Sequence, residues 1–156
     1  MIQLIELTEE DRDYFDELLE RVLNDQPQQI HDLLEEVPLI VEDYPSTGLI
    51  RDFCNRNPGL DPRKLPYQLC GLYTGFPVTV RSVEQPTRLP DRIQLFRVGI
   101  ILASRRHQRN EQALANSPDL SPEGAGLLEQ IRITLLHEIG HHFGLDEDDL
   151  RNLGYG

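Results

Sequence analysis

The sequence is poor in the residues that mark several classes of protein. Among 156 residues it has two cysteines, one methionine and no tryptophan. Cys54 and Cys70 are too few for a disulfide scaffold, and we expect both thiols to be packed and reduced. No run of about 18 apolar residues is present, so no transmembrane helix is predicted. Residues 1–7 lack the basic segment, the long apolar core and the cleavage site of a signal peptide, which leads us to expect a cytoplasmic protein.

Positive charge is also scarce. Lysine and arginine total 15 against 27 aspartates and glutamates, which gives a formal net charge of −12 at pH 7. Nucleic acids and anionic membranes favour basic surfaces, so we expect neither as a partner. The length falls within the usual range for one folding unit, and we predict a single domain over residues 1–156.

The most informative pattern lies near the C-terminus. The segment His137-Glu138-Ile139-Gly140-His141 has the form H-E-x-x-H, which is found in zinc peptidases. Because a helix turns by about 100° per residue, His137 and His141 project from the same side, one turn apart, and can bind one ion. Glu138 lies beside them and can take a proton from a water on that ion. The competing interpretation is an amphipathic helix with two structural histidines.

An acidic segment after this pattern can supply a third ligand. Gly144 lets the chain leave the helix, and Glu147 follows ten positions after His137, which is the metzincin spacing. The candidates are four consecutive acids, Asp146, Glu147, Asp148 and Asp149. We favour Glu147, because Asp146 is better placed to cap a following helix. Two neutral histidines and one carboxylate match the three protein ligands of a catalytic zinc.

Hydrophobic periodicity and turn residues predict an α/β (α+β) fold. The predicted helices begin after Thr8, at Pro27 and after Ser121, and a last one is capped by Asp146 and runs to Leu153. The predicted strands cover residues 37–42 and 92–96, with two short ones around Gly75 within residues 71–80. Residues 44–70 are predicted to be rich in loops, with one helical turn near residues 49–53, and residues 104–120 to be a polar loop.

The helix that begins after Ser121 is predicted to have two sides with different roles. Its apolar stripe comprises Leu128, Ile131, Leu135, Ile139 and Phe143, and we expect this side to pack on the sheet. His137 and His141 fall on another side, whereas His142 points about 100° away from its neighbour and is predicted either to pack or to support the ligands without binding the ion. Tyr155 either reaches the site with its hydroxyl or packs. The strand over residues 92–96 either offers its edge to an extended peptide or is an ordinary sheet strand.

Over most of its length the chain resembles the bacterial family of minimal zincin-like metallopeptidases. The matching segments are Val41-Glu42-Asp43, Gly71-Leu72-Tyr73-Thr74-Gly75, Leu89-Pro90-Asp91-Arg92-Ile93, residues 136–144 and Leu153-Gly154-Tyr155. The resemblance implies a zincin-like domain with a small mixed β-sheet, N-terminal helices and the H-E-x-x-H helix beneath the sheet. It also implies that His137, His141 and the acid at position 147 bind zinc, that Glu138 is the general base, and that a peptide or protein is the substrate.

Two departures from the family pattern bear on function. Glutamate stands at position 147, where aspartate is more usual, and Met1 is the only methionine, so the Met-turn of full metzincins is absent. Three hypotheses follow. The first is zinc-dependent hydrolysis of peptide bonds by a metal-activated water. The second is a non-catalytic or regulatory zinc-binding module on the same scaffold. The third is a site that holds no metal, on a fold that serves an interaction.

Overall fold

A computed structural model describes residues 5–75, 91–106 and 111–155, without the side chains of residues 111 and 112. Within these ranges the chain forms eight helices and three strands. The helices are α1 (Glu9–Asn24), α2 (Gln28–Glu36), α3 (Thr47–Arg56), α4 (Leu65–Gln68), α5 (Arg97–Arg106), α6 (Glu111–Asn116), α7 (Pro122–His142) and α8 (Glu147–Asn152). The strands are β1 (Leu39–Glu42), β2 (Gly71–Thr74) and β3 (Arg92–Phe96). None of the helices in the described ranges is long and apolar enough to cross a bilayer.

The three strands form one mixed sheet with the order β1-β3-β2. Strand β3 pairs in parallel with β1 and antiparallel with β2, which confirms the predicted small mixed sheet. Because β3 is the central strand, both of its edges are already hydrogen-bonded, so of the two alternatives for residues 92–96 it is the ordinary sheet strand. The edge strand next to α7 is β2.

The core lies between the sheet, α1 and α7. Ile131, Leu135 and Ile139 of α7 are buried in one cluster with the β3 residues Ile93 and Leu95 and with the apolar side of α1. This confirms the predicted stripe, with one exception. Phe143 is 48% exposed, because α7 ends at His142 and the helical period no longer applies to the capping residue.

Strand β2 and helix α5 are brought together by a close backbone contact. A β-carbon added at Gly99 in α5 would lie 2.1 Å from the carbonyl oxygen of Leu69 and 3.3 Å from the Cα atom of Cys70. These two residues lead directly into β2. Only glycine therefore allows α5 to approach the start of β2 this closely.

Helix boundaries were predicted well where a capping signal stands next to a periodic apolar run. Thr8 caps α1 with a capping box, and Ser121 caps α7 with Pro122 in its first turn. The prediction for residues 44–70 is wrong in part, because α3 covers ten residues instead of one turn. Ser46 caps that helix, a signal that the surrounding prolines and glycines masked.

Two further predictions have a mixed outcome. The predicted polar loop over residues 104–120 is wrong, because α5 continues to Arg106 and α6 covers Glu111–Asn116. One of the two predicted strands around Gly75 is β2, and the other, at residues 76–80, lies outside the described residues, as do residues 107–110. The two cysteines are not joined by a disulfide, as expected.

Candidate metal centre

Helix α7 brings the two histidines of the H-E-x-x-H pattern together near its C-terminal end. The Nε2 atoms of His137 and His141 lie 3.1 Å apart, and both rings are partly buried. Ligand atoms of His137, Glu138 and His141 all lie within 4.8 Å of one another, so this group could hold a metal ion. The predicted convergence of the two imidazoles is therefore present in the structure.

Backbone carbonyls fix the orientation of both rings. The Nδ1 atom of His137 lies 2.6 Å from the carbonyl oxygen of Tyr155, and that of His141 lies 3.0 Å from the carbonyl oxygen of Leu145. A carbonyl can only accept, so each Nδ1 carries a proton and donates it. A neutral imidazole has one N–H group, which leaves both Nε2 atoms with lone pairs that face each other. The same arrangement is typical of metal-binding histidines.

Glu147 is carried to the same point by the turn after α7. Gly144 has a φ of 86°, in the region that favours glycine, and the N–H group of Leu145 donates a hydrogen bond to the carbonyl of Gly140. Asp146 then caps α8 through a capping box, as predicted, so Glu147 is its first residue. One carboxylate oxygen of Glu147 lies 3.3 Å from Nε2 of His137 and the other lies 3.0 Å from Nε2 of His141.

The spacing of these three groups fits a small cation. Nitrogen or oxygen donors about 2.0–2.1 Å from a tetrahedral ion lie about 3.3–3.4 Å from one another. The measured separations between donor atoms are 3.0, 3.1 and 3.3 Å. Two unprotonated nitrogens and an anionic carboxylate repel one another at such distances unless positive charge lies between them. The donor set therefore suits a divalent metal ion with neutral histidine ligands.

Glu138 lies on the inner side of this group and is only 6% exposed. Burial raises the pKa of its carboxyl group to about 7, while the two neighbouring imidazoles and a hydrogen bond from the backbone N–H group of Tyr73 act in the opposite direction. A general base works best when its pKa is near the working pH. The burial of Glu138 thus gives it a property that proton transfer requires.

Strand β2 passes directly over Glu138. A β-carbon at Gly71 would lie 3.1 Å from Cγ of Glu138 and 3.1 Å from Cγ2 of Thr134, so glycine permits this approach. Along an antiparallel ladder, pairs of residues that are hydrogen-bonded to each other alternate with pairs that are not. Cys70 and Phe96 form a hydrogen-bonded pair, so Gly71 and Tyr73 belong to pairs that are not. Residues 71 and 73 therefore turn their backbone groups to the outer edge of β2, toward the helix.

His142 and Tyr155 have roles different from those of the two ion-facing histidines. His142 is 4% exposed, which confirms that it packs, and its Nδ1 atom lies near Tyr73 and Asp91. The ring of Tyr155 lies beside the guanidinium of Arg132, which confirms packing for this side chain. The carbonyl of Tyr155 supports His137 from behind, a contact that side-chain patterns cannot predict.

Cys70 lies close to the site but is not suited to bind the ion. Burial raises the pKa of its thiol to about 11, and the charge of Glu138 acts in the same direction. A thiol binds a metal as the thiolate, which is disfavoured in this environment. The described donors to an ion are therefore nitrogen and oxygen atoms.

The comparison with protein families agrees with the geometry of the site. Residues 34–156 match the family model described as zincin-like metallopeptidase. The match includes all three strands and both histidines. A search of curated proteins found no match. Since the match covers most of the chain and includes the H-E-x-x-H helix, the protein belongs to the zincin-like metallopeptidase family.

Proposed function

We propose that this protein is a zinc-dependent peptidase with His137, His141 and Glu147 as the zinc ligands and Glu138 as the general base. The observation that carries the proposal is the convergence of two Nε2 lone pairs and one carboxylate within 3.0–3.3 Å. Both Nδ1 protons are committed to backbone carbonyls, so the ring nitrogens that face the site are free of protons. Zinc is the usual occupant of such a mixed imidazole and carboxylate set with an open position.

Each residue has a distinct part in the proposed reaction. When bound, zinc supplies a Lewis acid that polarises the scissile carbonyl and lowers the pKa of a water molecule. Glu138 accepts a proton from the attacking water and delivers it to the nitrogen of the leaving amine as the C–N bond breaks. The backbone N–H group of Tyr73 holds the Glu138 carboxylate in place. Glu147 contributes one negative charge, so a divalent ion with two neutral histidines keeps a net positive charge.

The outer edge of β2 is the proposed binding place for the substrate backbone. It lies next to Glu138, and Gly71 directs its backbone groups toward this edge, whereas the N–H group of Tyr73 is bonded to Glu138 and is not part of the proposed pairing. A peptide in an extended conformation can pair with such an edge, which aligns one of its carbonyls with the site. The substrate class that fits this edge is an unfolded peptide or an exposed loop of a protein.

A non-catalytic zinc-binding module is the second candidate. The observation in its favour is the 6% exposure of Glu138, because a general base must reach water. The C-terminal segment would favour this candidate if it blocked the ion position, but it does not. Tyr155 contacts His137 at Nδ1, on the side of the ring away from the ion position, so its carbonyl lies behind the site.

Metal analysis combined with a turnover assay tests the proposal. We expect protein purified without chelators to contain about one zinc per chain and to cleave members of a peptide library. Removal of the metal should abolish cleavage, and added zinc should restore it. One bound zinc with no cleavage of any peptide at saturation would support the second candidate. Protein that binds no zinc would contradict both.

The assignment of the third ligand can be tested by a pair of substitutions in the first turn of α8. We expect Glu147→Gln to weaken zinc binding by more than about 100-fold, since loss of a group that only orients a ligand already costs about 10–100-fold. The matched control is Asp148→Asn, which removes the same charge from a side chain that is 81% exposed. Its zinc affinity should stay within about threefold of the wild type. Competition with a chromophoric chelator measures both, and equal effects would contradict the assignment.

A further inference from the structure

A buried polar cluster joins the sheet to the end of α7, one helical turn beyond Glu138. Nδ1 of His142 lies 3.2 Å from the hydroxyl of Tyr73 and 3.3 Å from a carboxylate oxygen of Asp91. His142 is 4% exposed, and the side chain of Asp91 is 16% exposed. The rings of Tyr73 and His142 meet edge to face at 5.6 Å. The cluster therefore connects β2, the residue before β3 and the last residue of α7.

Tyr73 belongs to this cluster and to the candidate metal centre at the same time. Its side chain contacts His142, whereas its backbone N–H group donates to the carboxylate of Glu138. The ring and the amide belong to the same residue, so the contacts that hold the ring in place also restrict where the amide can lie. The position of that amide relative to Glu138 depends on where the ring is held.

The local backbone is shaped to let this cluster form. Gly75, two residues after Tyr73, has a φ of 139°, and a β-carbon there would lie 2.3 Å from a carboxylate oxygen of Asp91. Gly71, two residues before Tyr73, allows β2 to lie on Glu138. Glycine on each side thus brings Tyr73 between Asp91 and α7. The Asp91 carboxylate can only accept, and it favours the His142 tautomer that carries a proton on Nδ1.

We propose that Asp91, His142 and Tyr73 are positioning residues that hold strand β2 at a fixed height over α7, so that the amide of Tyr73 orients the Glu138 carboxylate. They touch neither the ion nor the substrate. The expected effect on kcat rests on the proposed peptidase function. The expected effect on the hydrogen bond between Tyr73 and Glu138 does not, because it concerns only contacts within this chain.

The first test follows the amide proton of residue 73 by NMR in the zinc-loaded protein. An amide proton bonded to a carboxylate resonates downfield, so Glu138→Gln should move this signal upfield and calibrate the effect. We expect Tyr73→Phe and His142→Leu to move it in the same direction by at least about half as much. His142→Asn, which places an amide nitrogen near the position of Nδ1, should return the signal toward the wild-type position.

A matched control separates positioning from general stability. Tyr44→Phe also removes a tyrosine hydroxyl that makes a hydrogen bond, in this case a 2.6 Å bond to the carbonyl of Ile5. It should change the melting temperature without moving the amide signal of residue 73. If Tyr73→Phe and His142→Leu lower the melting temperature but leave that signal in place, the cluster only stabilises the fold and the proposal is wrong. Tyr73→Phe keeps the ring and decides the question if His142→Leu does not fold.

The kinetic test measures kcat and KM separately for the wild type and for Tyr73→Phe. We expect Tyr73→Phe to lower kcat by about tenfold, a fraction of the 10²–10⁴-fold contribution of a general base, with KM and zinc affinity within about threefold of the wild type. An unchanged kcat together with a moved amide signal would overturn the catalytic consequence. If the wild-type protein has no turnover, the proposed function fails, and the amide signal still decides whether the cluster positions Glu138.

Discussion

The Glu138→Gln protein is expected to bind zinc as tightly as the wild type and to hydrolyse peptides at least about 100-fold more slowly. Glutamine has the shape of glutamate, and its amide oxygen can still accept the hydrogen bond from the backbone of Tyr73. It cannot accept a proton from water at neutral pH, and loss of a general base typically costs 10²–10⁴-fold in rate. The proposed ligands His137, His141 and Glu147 are unchanged, so metal binding should persist.

The measurement is kcat/KM for a cleavable peptide, with the zinc content determined on the same sample. Glu123→Gln is the matched control, because Glu123 is exposed and lies in the first turn of the same helix, far from the two ion-facing nitrogens. We expect that variant to keep its activity within about threefold. Retention of more than one tenth of the wild-type rate by Glu138→Gln would show that another group takes the proton.

Gly99→Ala is expected to destabilise the fold by about 3 kcal/mol, at the upper end of the usual cost of overpacking. The added β-carbon would meet the carbonyl oxygen of Leu69 at 2.1 Å, and this atom belongs to the backbone and cannot rotate away. Helix α5 would have to move from the segment that leads into β2. For a chain of this size, such a loss lowers the melting temperature by roughly 10 °C.

Thermal or urea unfolding of Gly99→Ala measures this loss, and Gly126→Ala is its control. Gly126 lies within α7, and a β-carbon there would meet no atom within 4 Å. Alanine is favoured over glycine in a helix by about 1 kcal/mol, so the control should be as stable as the wild type or more so. If Gly99→Ala were equally stable, the contact between α5 and residues 69–70 would be looser than the structure shows.

The parts of the site that depend on local sequence could be predicted. His137, Glu138 and His141 follow from the helical period, and the cap at Asp146 follows from an acid at a helix start. Ile131, Leu135 and Ile139 were assigned to the buried side by the same period. In each case the interaction joins residues a few positions apart, so the sequence contains the whole signal.

The parts that depend on long-range pairing could not be predicted. The sequence left open whether β3 has an exposed edge, because neighbours in a sheet are chosen by tertiary packing and β1 pairs with β3 across about 50 residues. The contact of Tyr73 with Glu138 and the support of His137 by Tyr155 involve backbone groups, which every residue has. A pattern of side chains contains no information on which of these groups will meet.

The left-handed turn at Gly144 has a consequence for how relatives of this protein can diverge. The carbonyl that supports His141 comes from Leu145, and the carboxylate of Glu147 reaches the Nε2 atoms of both histidines only two residues later. One added or missing residue here would rotate the acid away from the histidines and displace that carbonyl together with it. Insertions and deletions in the family should therefore be rare between positions 141 and 147, and more frequent in exposed turns such as residues 57–64.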